Sequence, residues 1–359
     1  NSPDQGGGIE ISSRTLLENV HLEGNRANYG AALSTSLAQA STLTMRHCIV
    51  ATNTAVGGGG GILINRGWTA VVEDSLFEGN RASSFGGGVA VAPTSSLRLE
   101  RTSLHGNFAD APNWVIAAGG GVWAEGDVVL VNSLLTANNT DDGGAGLYVA
   151  STGSAQVIHS TISQNFGFRD PSTPPANELG AGLFRVAPAS VTLDGSIVTS
   201  NFDVDGPTGS QTFTPSDCSA GIVSGDYNLV ASPASCGLVG QLAHVVYASG
   251  FGTLAFNGGF SRDVSSISTP AFGAVPASHC LDELGAPLAT DFRGHRRKAL
   301  ACDIGAHDAG ALYRAPLLFG TNLLRNGGAA GEELGLASTV ADPAGVELFQ
   351  PPYWSGGGG

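Results

Sequence analysis

The amino-acid sequence predicts an all-β protein, a right-handed three-sided parallel β-helix built from about ten short coils. Three observations lead to this prediction. An asparagine recurs about every 27 residues, a glycine cluster with a short apolar run follows it, and a third segment alternates apolar and polar residues. Each repeat therefore carries three short strands and three turns, which is one coil of a solenoid.

The first recurring element is a small residue, two apolar residues, two variable residues and an asparagine, as in residues 48–53 and 75–80. The asparagines follow one another at steps of 28, 27, 27, 31, 27 and 36 residues. They are Asn25, Asn53, Asn80, Asn107, Asn138, Asn165 and Asn201. Because an amide group both donates and accepts hydrogen bonds, asparagines in superposed turns can bond to one another. We therefore interpret these residues as a structural ladder and not as a ligand site.

The second and third elements complete the coil. Glycine clusters precede the apolar runs at residues 59–64 and 86–91, and glycine permits positive φ angles and close approach of neighbouring coils. Leu97-Arg98-Leu99 illustrates the alternation that places apolar side chains inside and polar ones outside. An α-helical repeat is excluded because each glycine would cost about 1 kcal/mol relative to alanine. A β-propeller would need a repeat of about 40–50 residues.

Two insertions interrupt the regular spacing. From the asparagine to the last glycine of the cluster is 8 residues in three coils, but 14 residues after Asn107 and 17 after Asn165. We expect insertions 108–118 and 166–179 to protrude from one edge, where solenoids commonly bind partners. An aromatic ring beside aspartate and arginine suits sugar binding, and the candidate residues are Trp114, Asp110, Phe168, Arg169 and Asp170. The alternative is that these loops only cover the edge.

Composition excludes several functions. The net charge of -14 disfavours nucleic acid and anionic lipid as partners, because like charges repel. The sequence has no run of 18 apolar residues, so membrane insertion is not expected. Four of the five cysteines follow Asn201 in two spaced pairs, which is typical of disulfides and predicts an extracellular or outer cell-surface location. Cys48 occupies the small first position of its repeat, so we expect a buried free thiol.

The end of the period divides the chain. Residues 1–201 are predicted to form regular coils, residues 202–310 irregular last coils and a cap, and residues 311–359 an extension or the stump of a further domain. Asn1 precedes a glycine cluster at nearly the ladder spacing, so we expect further coils or a cap upstream. In the cap segment we expect Arg293 and Arg296 to form ion pairs with Asp291 and Asp303.

Several motifs carry a resemblance to known proteins. Phe77-Glu78-Gly79-Asn80 and Gly87-Gly88-Val89 are loosely similar to the repeats of chlamydial polymorphic outer membrane proteins. Cap-like motifs are Asp217-Cys218-Ser219, Gly225-Asp226-Tyr227-Asn228, Asn257-Gly258-Gly259, Asp291-Phe292-Arg293-Gly294 and Cys302-Asp303-Ile304-Gly305. Over about residues 1–310 the chain resembles secreted bacterial β-helix proteins of the choice-of-anchor type. That resemblance implies a disulfide-stapled C-terminal cap with the pairs Cys218–Cys236 and Cys280–Cys302.

These features favour an extracellular structural or adhesive protein, a rigid scaffold that presents its edge loops to a protein or glycan. The alternative is a polysaccharide-active β-helix of pectate-lyase-like fold, a lyase or hydrolase with a site near loops 108–118 and 166–179. Such sites need convergent carboxylates, and the outward strand positions carry isolated charges instead. We therefore predict no catalytic residue, no metal ligand and no cofactor, with calcium the only ion considered.

Overall fold

The computed structural model has a regular coiled body followed by irregular C-terminal segments. It describes residues 5–110, 117–141, 143–168, 180–205, 210–219, 221–231, 236–246, 254–255, 257, 263–264, 271–297, 301–309, 340–341 and 347–348. Strands are numbered in chain order. Each strand of the body pairs in parallel with the equivalent strand of the next coil, which confirms the right-handed parallel β-helix. Within the described residues, no helix has the length and apolarity that a membrane crossing requires.

Three sheets correspond to the three strands predicted for each coil. The first sheet contains β1 (Ile9–Ile11), β5 (Leu33–Thr35), β9 (Ile62–Ile64), β13 (Val89–Val91), β17 (Val122–Ala124), β21 (Leu147–Val149) and β25 (Leu183–Arg185). The second contains β2 (Thr15–Glu18), β6 (Thr42–Arg46), β10 (Thr69–Glu73), β14 (Ser96–Glu100), β18 (Asp127–Val131), β22 (Ser154–Ile158), β26 (Ser190–Asp194), β30 (Val223–Asp226) and β32 (Val239–Gly240). The third contains β3 (His21–Glu23), β7 (Ile49–Ala51), β11 (Leu76–Glu78), β15 (Ser103–His105), β19 (Leu134–Thr136), β23 (Thr161–Ser163), β27 (Ile197–Thr199) and β31 (Leu229–Val230).

A fourth sheet of very short strands follows the asparagine of each coil. It contains β4 (Arg26–Ala27), β8 (Thr54–Ala55), β12 (Arg81–Ala82), β16 (Phe108–Ala109), β20 (Asn139–Thr140), β24 (Phe166–Phe168), β28 (Phe202–Asp205) and the antiparallel β29 (Thr212–Pro215). Two residues are too few to show an alternating pattern, so the sequence does not reveal these strands. The four described sheets have seven, nine, eight and eight strands. Since a coil contributes one strand to each main sheet, the described residues form fewer coils than the ten expected.

Three two-stranded antiparallel sheets follow the coiled body in the described part of the chain. They are β33 (Leu254–Ala255) with β34 (Asp263–Val264), β35 (Val275–Pro276) with β36 (Ala301–Cys302), and β37 (Val340–Ala341) with β38 (Glu347–Leu348). A short 3₁₀ helix, Ala277–His279, follows β35.

The inward-facing side chains of the coils form one continuous core. In the second sheet, Leu43, Ala70, Leu97 and Val128 lie in register on successive strands and are buried. Full burial of an aliphatic side chain of this size contributes about 1.5–3 kcal/mol, which no isolated coil can obtain. The stack is therefore the folding unit.

The asparagines form a hydrogen-bonded column inside the turn. Each Nδ2 donates to the Oδ1 of the next asparagine over 2.8–3.0 Å, from Asn25 through Asn201. The column ends on Asp217, whose Oδ1 accepts from the backbone nitrogen and Nδ2 of Asn201 at 3.1 and 3.0 Å. A carboxylate suits this end because it accepts hydrogen bonds and brings no buried amide hydrogen that needs a further acceptor.

A second ladder runs through the small first position of the repeat. Here the side-chain oxygen of one coil accepts from the backbone nitrogen of the preceding coil, as between Ser133 and Ser160 (3.0 Å). The ladder ends on Asn228, which accepts from Ser196 at 2.9 Å. Cys48 occupies the same position near the other end and is a buried free thiol. Its Sγ lies 3.3 Å from the Arg46 carbonyl oxygen, where the serines place their hydroxyl groups.

The structure contains the predicted disulfide-stapled C-terminal cap and also shows its position relative to the coils. Cys218–Cys236 joins buried residues of the irregular last coils, and Cys280–Cys302 joins two residues of the segment formed by residues 271–297 and 301–309. This segment, called the strap below, runs along the side of the stack. Phe292 is buried against Leu134 of the fifth strand of the third sheet.

The ion pairs expected in the strap are formed by one of the two predicted arginines and not by the other. Arg293 pairs with Asp291 at 2.6 Å, but Arg296 is exposed, and Asp303 accepts from the backbone nitrogens of Gly273 and Ala309. Arg297 is the buried guanidinium instead. Its nitrogens reach Asn132 Oδ1 (2.7 Å), two strap carbonyl groups and the Asp308 carboxylate, so its donors are satisfied without solvent. Arg296 has no comparable set of acceptors described around it.

The direction of the asparagine ladder predicts unequal effects of two similar substitutions. In Asn107→Asp, the new carboxylate cannot donate to Asn138 and buries a charge, so we expect a loss of at least about 2 kcal/mol in unfolding free energy. Asp217→Asn keeps the acceptor oxygen for Asn201, so we expect a smaller loss. Urea unfolding followed by circular dichroism compares the two variants, and equal losses would contradict the assigned direction.

Candidate functional site

The turn between the second and third sheets concentrates polar side chains. The residue directly after each of the first eight second-sheet strands has a positive φ angle, and the column is Asn19, His47, Asp74, Arg101, Asn132, His159, Gly195 and Tyr227. A non-glycine residue pays about 1–2 kcal/mol for this conformation, and asparagine and aspartate tolerate it best. We call this column the left-handed column. Some of its side chains pair with one another, as Asp74 does with Arg101, and others contact strap residues, as Asn132 does with Thr290.

In the second to fourth coils the charges of this region neutralise one another. Arg101 binds the Asp74 carboxylate through two nitrogens at 2.7 and 2.9 Å, and it also contacts Glu100. Arg98 reaches Glu283 of the strap at 2.6 Å. These groups form an ion-pair network that links two neighbouring coils to the strap, and they leave no unpaired carboxylate cluster among the described residues of these coils.

In the last coils the same turn brings two aspartates together. Asp194 ends β26 and Asp226 ends β30, and the two residues are register partners on neighbouring strands. Asp226 Oδ2 lies 2.7 Å from His244 Nδ1, and its Oδ1 accepts from the His244 backbone nitrogen at 2.9 Å. The His244 ring stacks on Tyr227 at 4.5 Å, and Tyr227 also contacts His279 of the strap at 5.0 Å.

The environments of the two aspartates shift their pKa values in opposite directions. Burial raises the pKa of Asp194, and the neighbouring Asp226 charge adds to this, while His279 acts against it. Burial also acts to raise the pKa of Asp226, but the hydrogen bonds from His244 outweigh it and the pKa is lowered. One carboxyl group therefore retains its proton more readily than the other, which is the arrangement that acid–base chemistry uses.

The sequence analysis did not identify this pair because it searched for aspartates close together in the chain. Asp194 and Asp226 are 32 residues apart, which is about one coil. Aligning Asp194-Gly195-Ser196-Ile197 with Asp226-Tyr227-Asn228-Leu229 by the second ladder would have placed them side by side.

His159 is the member of the left-handed column that comes directly before Gly195. Its side chain is fully buried under the strap. Its Nε2 lies 3.1 Å from the His279 carbonyl oxygen, and its Nδ1 lies 3.8 Å from Cys302 Sγ. Burial, together with the positive charge of Arg297, lowers the pKa of His159 to about 3, so the imidazole is neutral at physiological pH. This group contains one ring nitrogen of His159 and the Sγ atoms of Cys280 and Cys302. These three atoms all lie within 4.8 Å of one another.

The structure describes two of the five loop residues expected to bind a partner. Asp110 follows β16 and pairs with Arg81, whose guanidinium carbon also lies 5.4 Å from the Phe108 ring centroid. Phe168 ends β24, two strands further along the fourth sheet, and is half-buried. The other three lie outside the described residues, and they are Trp114, Arg169 and Asp170.

Aromatic side chains flank the edge from which both insertions leave. On the first sheet, Trp123, Tyr148 and Phe184 occupy register positions on three successive strands and are half-buried. Ring centroids are 4.3 Å apart for Phe85 and Trp123 and 5.3 Å apart for Tyr148 and Phe184.

On the fourth sheet, Phe166 stacks on Phe202 at 6.2 Å, and the exposed Phe213 contacts both rings edge-on. In the sequence, the three aromatic residues of the first sheet occupy the middle position of the apolar run that follows each glycine cluster. The residue at that position points outward, so an aromatic ring there is unusual and would have identified the row.

Comparison with known proteins supports the β-helix fold and gives no information about function. A family model described as "Right handed beta helix region" matches residues 1–109. The matched residues include the first asparagines of the ladder and the first strands of all four sheets. Neither the curated proteins nor the solved structures include a match to this chain. The chain is therefore a β-helix repeat protein. Any proposal for its function has to be argued from the geometry of its own residues.

The opposite pKa shifts of the two aspartates predict opposite effects of removing their charges. Asp194 has a raised pKa in the fold, so its charged form costs stability above that pKa, and Asp194→Asn should raise the melting temperature near pH 7. The gain should fade in acid, where the wild-type carboxyl group is already protonated. Asp226→Asn should lower the melting temperature near pH 7, because it removes the negative charge and one of the two oxygens that bond to His244. Thermal scans at two pH values test this, and a lower melting temperature for Asp194→Asn at neutral pH would contradict it.

Proposed function

We propose that this chain is an extracellular structural or adhesive protein, a rigid β-helical scaffold that presents one edge to a glycan or protein partner. The observation that carries the proposal is the set of half-buried aromatic residues on both sides of that edge, on the first and fourth sheets. Aromatic residues are enriched where proteins bind sugars and other proteins, because their rings offer a large apolar area at low entropic cost.

The widest sheet supports a scaffold role for the rest of the surface. One outward column of the second sheet is formed by Thr42, Thr69, Ser96, Asp127, Ser154 and Ser190. Neighbouring hydroxyl groups bond along the column, as between Ser96 and Thr69 at 3.2 Å. This column is lined mainly by small hydroxyl side chains, which supports a rod that separates or displays other parts.

The proposed location and protein class follow from the cysteines and from the sequence motifs. Two disulfides support an oxidising compartment, so we place the chain outside the cell or on its surface. Within that setting the cap motifs favour a bacterial protein of the choice-of-anchor type, with a looser similarity to chlamydial polymorphic outer membrane protein repeats. The net charge of -14 supports partners other than nucleic acid.

Glycan-array binding tests the proposed edge. The full chain should retain specific glycans, and Trp123→Ala should reduce the signal about tenfold, because a stacked ring contributes about 0.5–1.5 kcal/mol beyond the burial of its apolar area and about 1.4 kcal/mol is tenfold. Trp114→Ala tests the loop of the same edge. Leu284→Ala is the matched control, since Leu284 is 84% exposed and lies in the strap. Unchanged binding by both tryptophan variants would contradict the assignment of the edge.

A second candidate function is polysaccharide hydrolysis, and one observation favours it. Asp194 and Asp226 are neighbouring carboxyl groups with oppositely shifted pKa values, as required of an acid and its charged partner. This candidate therefore moves the site from loops 108–118 and 166–179 to the turn beside His244.

Release of reducing ends from a panel of neutral and acidic polysaccharides tests the hydrolase candidate. Wild-type protein should release product, and Asp226→Asn and Asp194→Asn should each reduce the rate by at least about 100-fold. Asp127→Asn is the control, because Asp127 is exposed on β18 of the second sheet and belongs to neither candidate site. Equal rates for all three variants would eliminate the site, and the absence of product from wild-type protein would eliminate the candidate.

A further inference from the structure

We propose that reduction of the Cys280–Cys302 disulfide converts the buried group formed with His159 into a binding site for a soft divalent cation such as Zn²⁺. Two thiolates and one imidazole are ligands that Zn²⁺ prefers, and three protein ligands leave a fourth position open. The inference is independent of the proposed function, since it concerns the attachment of the strap and not the aromatic edge.

The distances between the ligand atoms suit tetrahedral coordination. His159 Nδ1 lies 3.8 Å from Cys302 Sγ. With metal bonds of about 2.0–2.1 Å to nitrogen and 2.3 Å to sulfur, a tetrahedral angle separates these atoms by about 3.6 Å. One ligand atom from each of the three residues lies within 4.8 Å of the others. The Cα atoms of the two cysteines are 6.3 Å apart, so the backbone already brings both side chains to one point.

The orientation of His159 is fixed in the form that a metal requires. We assign the ring hydrogen to Nε2, because the His279 carbonyl oxygen at 3.1 Å can only accept, and this tautomer leaves the lone pair on Nδ1, the nitrogen beside Cys302 Sγ. Histidine ligands commonly hold their second nitrogen in this way. Gly195 makes room for the ring, because a Cβ atom there would lie 2.5 Å from His159 Cε1. The side chain is completely buried, so it cannot turn towards solvent.

The chemistry balances with a dithiol reductant. The reductant transfers two electrons and two protons to the Cys280–Cys302 disulfide and itself becomes a disulfide, which leaves two thiols in the strap. Zn²⁺ then displaces both thiol protons to solvent. Two thiolates and a neutral imidazole carry two negative charges, so the bound dication is neutralised. Neutrality matters because an unbalanced charge would be strongly disfavoured in this buried position.

Metal binding would change what the strap is attached to. The disulfide joins two strap residues to each other, whereas a metal would also join them to His159 of the coiled body. The strap would therefore remain bound to the stack in reducing conditions. Among the described residues, no second group of three such side chains brings its ligand atoms this close, so the site is expected to bind one ion per chain.

Cobalt titration of the full chain tests this inference. After reduction with a dithiol and its removal under anaerobic conditions, wild-type protein should bind one Co²⁺ per chain and show a sulfur-to-cobalt charge-transfer band that Zn²⁺ abolishes. The oxidised protein should show no band. Cys280→Ser with Cys302→Ser should remove the band, and His159→Asn should weaken binding at least about tenfold.

Two controls keep the site and remove the other sulfur atoms. Cys48→Ser and the double variant Cys218→Ala with Cys236→Ala should each retain the band, and circular dichroism checks that every protein keeps its β structure. The inference is overturned if reduced wild-type protein binds no metal or unfolds on reduction. It is also overturned if the band survives in the Cys280→Ser, Cys302→Ser variant or if His159→Asn binds as tightly as wild type.

Discussion

Every other feature of this protein depends on the parallel hydrogen bonding of each coil to the coils on either side. A single coil of about 27 residues encloses too little volume to bury its own apolar side chains, so neighbours must lie in register. Register fixes which side chains meet along the stack, and it therefore determines where polar groups can be buried. The asparagine and serine ladders satisfy this constraint at two turns, since each residue supplies the partner that its neighbour lacks.

A ladder needs a suitable last residue. Within the asparagine column every amide donates towards the next coil, so the final position must accept and must not donate. Asp217 meets this requirement, and the serine ladder ends on the oxygen of Asn228. Both residues lie beyond Asn201, in coils whose spacing is irregular. The irregular region therefore completes the hydrogen bonding of the regular one, and the two are parts of one structure.

The turn between the second and third sheets carries the chemistry as well as the serine ladder, since each ladder residue directly follows a member of the left-handed column. In the left-handed column the backbone accepts asparagine, aspartate and histidine, whose side chains leave the stack and are available for ion pairs or for strap contacts. Along its length the column passes from charge pairs at Asp74 and Arg101 to the buried His159 and then to Gly195 and Tyr227, which directly follow the Asp194–Asp226 pair. The aromatic edge lies at a different turn. Binding of a partner there and any chemistry beside the strap are thus physically separate.

The sequence by itself determined the fold, the three main strands of each coil, the positions of the asparagines and the buried nature of Cys48, because these depend on a local pattern that repeats. The tertiary structure alone decided which residues meet where the period fails. Arg297 and Asn132 are 165 residues apart, and Asp194 and Asp226 pair across a register shift between β26 and β30. No local alternation records such contacts, since the first depends on how the strap folds back over coils much earlier in the chain and the second on where the register shifts.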